Sequence, residues 1–385
     1  LKRQSKIIKS QKSIKKSRGC IDGAQKLSYN RLIKTTKTEG TKMSVSMPWK
    51  TRGLVLTAPL PEDVETVCEF IEKILAGKIN LLVLQTRYRY QFKTHPECTG
   101  RYALSKKDVK RILSACRNAK IELIPKMNLF GHQSGLPNVP DDGILHGAPD
   151  DRPTIKDGLL AAYPEFDEEQ NNERVLYSRS ICPTHPRVKG VLSDLIGELL
   201  DVFEARAIHI GCDEAFSLGT CPRCAKVGNA RLFADWITSI HDLIAARGAK
   251  TLMWSDRFLN SEKTYRNIYE ASANGTEGAL ALVPKDIILC DWHYENYGGR
   301  YPSLEIFKNA GFQTLISPWK NLENAKAFVN AAAQSGYENI AGVLLTTWCS
   351  SGELARHFLY GAPCVWQNTP QIVETLRALY LDNEL

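Results

Sequence analysis

From residue 48 onward the chain alternates short, almost wholly apolar runs with longer segments in which apolar residues recur at helical spacing. Such runs, rich in Val, Ile and Leu and bounded by Gly, Pro or charged residues, predict buried strands at 54–58, 81–86, 121–126, 207–210, 251–254, 287–290, 314–316 and 342–347. The segments between them predict helices at 62–76, 107–118, 186–205, 232–247, 304–310 and 323–334, with a weaker one near 265–271. A strand-then-helix rhythm repeated eight times, with right-handed crossovers, closes a parallel barrel. The expected fold class is therefore α/β, a single (β/α)8 barrel over residues 48–385 preceded by an extension at 1–47. One interval breaks the rhythm. Residues 129–182 are long, acidic and rich in Pro, so they predict a loop excursion after strand three, on the face where such barrels keep their sites.

The fourth predicted strand runs into His209-Ile210-Gly211-Cys212-Asp213-Glu214. Successive strand residues face opposite ways, so two adjacent carboxylates serve one site only where the backbone is turning away at the strand's C-terminal edge. Crowding them in a half-buried mouth favours one proton held between them, raising one pKa toward the range of a general acid. An isolated Asp-Glu pair is most often a solvated turn, and what changes that reading is the company it keeps. Trp254, Trp292, Trp319 and Trp348 follow predicted strands five to eight, four of the chain's seven Trp on one rim. Aromatic walls of this kind stack on the C–H faces of a sugar.

His-x-Gly-x-Asp-Glu at the end of an apolar strand resembles the signature of glycoside hydrolase family 20, the β-N-acetylhexosaminidases, in the intracellular, single-domain hexosaminidase D flavour. The resemblance covers roughly residues 50–360 and is most specific at 209–214. It implies exo-acting hydrolysis of terminal β-linked N-acetylhexosamine with retention, by a substrate-assisted route that departs from the usual two-carboxylate scheme. By that analogy Glu214 is the acid and base, and Asp213 orients the acetamido N–H. Arg52, in the Arg52-Gly53 pair opening strand one, grips sugar hydroxyls, and His132, in Phe130-Gly131-His132, supports the acid. Trp254 and Trp348 wall the pocket, joined by Trp292 and Trp319. No metal or organic cofactor is implied, and the implied partner is an N-acetylhexosamine-containing glycan.

The chain also departs from the family pattern. Gln85-Thr86-Arg87 follows strand two where an acidic residue is usual, and Trp319-Lys320 stands where many members have Trp-Tyr. Tyr294, one strand end away, is the expected substitute for that tyrosine. A glutamate two residues past the last Trp is also common, whereas here Glu353 comes five residues after Trp348.

Charge redraws the boundary more than the function. The net +8 is concentrated in residues 1–42, which hold 13 Lys and Arg against Asp22 and Glu39; the remainder, with 37 basic and 40 acidic residues, is slightly acidic. The composition of that basic stretch predicts disorder, and Met43 and Met47 are candidate starts for the barrel-forming part. A nucleic-acid-associated protein is the reading the arm alone would favour; it ranks last, because the arm has few aromatics and the barrel is net acidic. A sugar-binding barrel without turnover ranks between. No apolar run approaches the ~18 residues of a membrane helix, and no signal-peptide core is visible. Eleven cysteines scattered through strands and helices read as free thiols of a reducing compartment, which predicts a cytoplasmic protein. Cys221-Pro222-Arg223-Cys224 stands apart. It supplies two of the four ligands a structural zinc takes, with Cys182 and His185 as candidates to complete the set, but a plain turn is the expected role. The sequence leaves a homodimer open.

Overall fold

Eight parallel strands close on themselves in sequential order in the computed structural model, which describes residues 47–133, 157–169, 178–296 and 298–382. The basic N-terminal stretch lies outside the described residues, and the barrel falls within a compact unit spanning Val45–Leu385. The strands are β1 Thr51–Thr57, β2 Leu81–Gln85, β3 Glu122–Lys126, β4 Ala207–His209, β5 Lys250–Trp254, β6 Ile288–Asp291, β7 Gln313–Ile316 and β8 Ile340–Thr346. Every neighbouring pair is parallel, and β8 returns to β1 through Thr51↔Gly342 to Val55↔Thr346. Each predicted strand is present to within a few residues.

Alternation along the strands sorts the core into two layers. Val55, Leu81, Val83, Ile124, Leu252 and Leu344 fill the barrel interior. Their neighbours Leu54, Leu56, Leu82 and Leu84 point outward and pack under the helices. The helices are α1 Val64–Phe70, α2 Lys106–Asn118, the short α3 Leu159–Ala162, α4 Val188–Phe203, α5 Asn229–Ala245, α6 Pro302–Ala310, α7 Leu322–Gln334, α8 Ser351–Tyr360 and α9 Thr369–Leu376. The start of α2 shows why local sequence suffices. Ser105 accepts from the Asp108 amide while the Asp108 carboxylate accepts from the Ser105 amide, so two orphan donors are satisfied reciprocally. Beyond α9, the Tyr380 hydroxyl lies 2.9 Å from the Gly53 carbonyl and 3.1 Å from that of Val343, clasping the β1–β8 seam. No helix among the described residues is long and apolar enough to cross a membrane.

One predicted element is not there. Residues 265–271 form turns rather than a helix. The Arg257 guanidinium is buried beneath them and donates to the carbonyls of Ile268 (2.8 Å), Tyr269 (2.8 Å) and Ala271 (3.0 Å). Carbonyls turned in on a cation cannot also serve an i→i−4 ladder, and satisfying a buried charge outweighs local propensity. The long excursion after β3 is real. It separates Lys126 from α4, carries α3, and folds back on itself through a bridge between Asp167 and Ile181. Residues 134–156 and 170–177 of it lie outside the described set.

Candidate active site

The residues at the strands' C-terminal ends converge on one mouth. After His209 the backbone enters the left-handed region three times in four residues, at Gly211 (φ 68°), Cys212 (φ 67°) and Glu214 (φ 48°). This left-handed path breaks the strand alternation and brings Asp213 and Glu214 to the same side. Non-glycine residues held this way cost of order 1–3 kcal/mol each and persist where surroundings over-determine them. The surroundings here do so. Asn274 donates its side-chain amide to the carbonyls of Ala215 (2.9 Å) and Phe216 (3.2 Å), and Ser217 donates to Glu169 (2.6 Å). The Glu214 amide donates to Asp256 Oδ2 at 2.9 Å.

His132 arrives from the β3 excursion, itself in the left-handed region at φ 56°. The backbone before it comes so close to the carboxylate loop that a Cβ on Gly131 would lie 2.5 Å from the Asp213 carbonyl oxygen, which only glycine permits. His132 Nε2 then sits 3.0 Å from Asp213 Oδ2 and 3.0 Å from Glu214 Oε2. Burial opposes charge on this ring, but the two carboxylates prevail and raise its pKa to about 9. Burial likewise opposes ionisation of Asp213, yet the His132 cation beside it holds that carboxyl well below the usual range. An imidazole bridging both carboxyl groups gains from two charges at once. Asp213 Oδ1 is buried and has no hydrogen-bond partner among the described residues.

Around the carboxylates stands an aromatic wall. Trp254 closes β5, and its ring centroid lies 5.8 Å from that of Trp348 and 4.4 Å from His209. Tyr294 packs between Trp292 (4.7 Å) and Trp319 (5.2 Å). Its hydroxyl accepts from Trp348 Nε1 at 2.7 Å, and burial raises its pKa, with Asp213 and Glu214 adding to the rise. Trp292 also braces the site from below, donating to Asp256 Oδ1 at 3.2 Å. Lys320 is turned aside. Its Nζ lies 4.1 Å from the centroid of the Trp319 ring and 2.8 Å from Asn368 Oδ1. A cavity of about 380 Å³ beside Tyr294 and Lys320 adjoins this wall.

Two expected ligands are placed elsewhere. Arg52 is the second residue of β1, about 17 Å of strand below the rim. It shares its parity with the outward-facing Leu54 and Leu56, so strand alternation directs it away from the pocket. Glu353 lies in the first turn of α8, where Oε1 accepts from the amides of Val365 (3.0 Å) and Trp366 (3.2 Å). Those bonds hold the α8–α9 connection.

Two residues escaped the sequence reading. Lys126, the last residue of β3, is buried. Its Nζ bonds Asn128 Oδ1 (2.6 Å) and Gln85 Oε1 (3.0 Å) and lies 5.6 and 5.7 Å from the ring centroids of Trp254 and Trp348. Burial lowers its pKa to about 8, against the pull of Asp213. Gln85 therefore occupies the position of the family's usual acid as a neutral acceptor for this cation. A charged residue ending an apolar strand was the available signal. Asp256 is the other. Burial raises its pKa to about 6 although Arg257 Nε lies 2.5 Å away.

The glycosyl hydrolase family 20 catalytic-domain model matches residues 73–351. A β-hexosaminidase of Akkermansia muciniphila is 21% identical over 276 residues, covering 67% of this chain and 50% of the relative, so the chain spans about half the length of the curated relative it matches. Among solved structures, a Flavobacterium johnsoniae chitobiase superposes with a TM-score of 0.58 at 16% identity, over 87% of this chain and 51% of the other. An exo-β-N-acetylglucosaminidase of Vibrio harveyi, in complex with N-acetylglucosamine, superposes at 0.56 and 15% identity, over 87% and 55%. At these identities the superpositions speak for the fold.

Proposed function

This chain belongs to glycosyl hydrolase family 20, and on that footing we propose that it releases terminal β-linked N-acetylhexosamine from glycosides with retention, the substrate's own acetamido group acting as nucleophile. The observation that carries the proposal is Asp213. One carboxylate oxygen is paired with His132 at 3.0 Å, while the other is buried beside an aromatic wall without a hydrogen-bond partner among the described residues. A buried acceptor left open in this way is costly unless a ligand's donor completes it, and the acetamido N–H is such a donor.

In this reading the sugar stacks against Trp254 and Trp348, and Glu214 gives a proton to the glycosidic oxygen as the C1–O bond breaks. The acetamido carbonyl oxygen closes on C1 to form an oxazolinium. Asp213 accepts the N–H and offsets the positive charge that develops there, and Tyr294 holds the carbonyl oxygen in line. Glu214 then takes a proton from water as it opens the ring, restoring the starting state. His132 steadies both carboxyl groups throughout, and holding charge in place before the reaction is the main contribution such sites make.

The test is hydrolysis of 4-nitrophenyl N-acetyl-β-glucosaminide and its galacto epimer by the purified chain. Turnover that falls about 10²- to 10³-fold in Asp213→Asn supports the proposal. Absence of turnover, with tight binding of a thiazoline mimic of the oxazolinium, would leave a sugar-binding barrel instead; absence of both would reject the substrate class.

A further inference from the structure

Cys182, Cys221, Cys224 and Glu168 come together outside the carboxylate site, all four buried, with one ligand atom from each within 4.8 Å of the others. Cys182 Sγ lies 3.5 Å from Cys221 Sγ and 3.6 Å from Cys224 Sγ. Thiolates bound to one tetrahedral ion at 2.3 Å stand about 3.8 Å apart, close to this spacing, whereas a disulfide brings two sulfurs to about 2.05 Å and leaves the third over. The ten described cysteines are all free thiols.

The groups around the cluster are those that orient ligands. Glu168 Oε1 accepts from the amides of Thr220 (2.8 Å) and Cys221 (3.2 Å). The other oxygen, Oε2, is buried without a hydrogen-bond partner among the described residues, and the thiols of Cys221 and Cys224 bear on the carboxyl group. The Cys224 amide donates to Cys221 Sγ at 3.4 Å, which fixes the C-x-x-C turn with both sulfurs on one side. Thr184 Oγ1 lies 3.1 Å from Cys224 Sγ, and Arg223 Nη2 donates to Cys182 Sγ at 3.5 Å, a cation placed against the excess of negative ligands. His185 is elsewhere, with its ring 4.7 Å from that of Phe166.

We propose that these four residues hold a structural zinc ion, bound through three thiolates and one carboxylate oxygen. Three soft sulfurs and a hard oxygen at tetrahedral spacing suit zinc, and a full set of four protein ligands makes the site closed and structural. Binding releases the three thiol protons to solvent and involves no redox change. Position gives the ion its purpose. Glu168 and Cys182 flank the fold-back of the β3 excursion, while Cys221 and Cys224 follow directly on the loop that carries Asp213 and Glu214. One ion thus fastens two long insertions where Thr220 and Ser217 already meet Glu168 and Glu169.

The experiment is metal analysis of the full chain, purified without chelator and dialysed against metal-free buffer, with zinc as the probe. About one zinc per chain is expected, with little in Cys182→Ser or Cys221→Ser. Because those variants can fail to fold, the wild-type chain is also loaded with cobalt, which should show thiolate charge-transfer bands and the intense visible absorption of a tetrahedral site. Glu168→Gln should fold yet lose zinc to a competing chelator at least about tenfold more readily. A wild-type chain without zinc and without a thiolate–cobalt spectrum overturns the proposal, whether its three thiols titrate as free or two are lost to a disulfide. Equal zinc in the wild type and all three variants would also overturn it. None of these readouts depends on turnover.

Discussion

Tyr294→Phe removes one oxygen atom from the wall of the site, and its bonds indicate what that atom does. The hydroxyl accepts from Trp348 Nε1 at 2.7 Å. Thr346 Oγ1 lies 3.3 Å away but has a better acceptor for its single proton in the Pro318 carbonyl, at 2.9 Å. Among the described residues the Tyr294 proton is therefore held by one long, neutral contact at most, and an oxygen that gains charge in the transition state displaces that contact easily. Lys320, which occupies the family's tyrosine position, is committed to Trp319 and Asn368. Removing one donor from a site of developing charge costs about 2.7–4 kcal/mol, or 10²- to 10³-fold in turnover. The structural cost is smaller. Trp348 loses an acceptor but is only partly buried, so water can replace it, and a loss of about 1 kcal/mol is expected. We predict kcat on 4-nitrophenyl N-acetyl-β-hexosaminides down by about 10²-fold or more, with Tm lowered by no more than about 4 °C. The thiazoline mimic should lose affinity while the plain N-acetylhexosamine keeps it, because only the former presents the developing charge. A kcat within about threefold of wild type, or equal weakening of both ligands, would refute the assignment.

Glu214→Gln should lower turnover of an alkyl glycoside by about 10²- to 10⁴-fold and that of a nitrophenyl glycoside less, since its leaving group needs less protonation; equal losses on both argue against Glu214 as the acid. The pKa of His132, raised to about 9 in the fold from an ordinary value near 6.5, makes its contribution to stability complete below about pH 6.5 and lost as pH rises through about 9. The difference in denaturation midpoint between wild type and His132→Asn should shrink across that window, and a difference constant from pH 6 to 10 would sink the linkage. Gly131→Ala places a Cβ 2.5 Å from the Asp213 carbonyl oxygen, so the two loops must part; a loss of about 10²-fold in kcat is expected, and wild-type kinetics would show that the approach is not needed.

The barrel was legible in the sequence because each strand announces itself locally. A run such as 81–85 needs only its own residues to be too apolar for solvent, and eight runs interleaved with amphipathic segments leave few topologies open. Asp213 and Glu214 were legible for a similar reason, since they are adjacent in the chain and close a strand. The helix expected at 265–271 failed because its competitor, the buried Arg257, is distant enough in sequence to be invisible to periodicity. Arg52 and Glu353 illustrate the same limit from the other side, for a motif names a residue without saying which face of the barrel it takes or what it already bonds.

Only the tertiary structure could decide which separated residues share a volume. His132 lies about eighty residues before the carboxylates it bridges, and its charge arises solely from their approach. Lys126 reads in sequence as a strand terminus and becomes a buried cation only when β2, β5 and β8 close around it. Cys182 and Cys224 are 42 residues apart, and nothing in the C-x-x-C turn points to Cys182 over His185, or to Glu168 at all. Local propensity fixes where the chain turns; which turns meet is set by barrel closure and by the burial of charges that must find partners once water is gone.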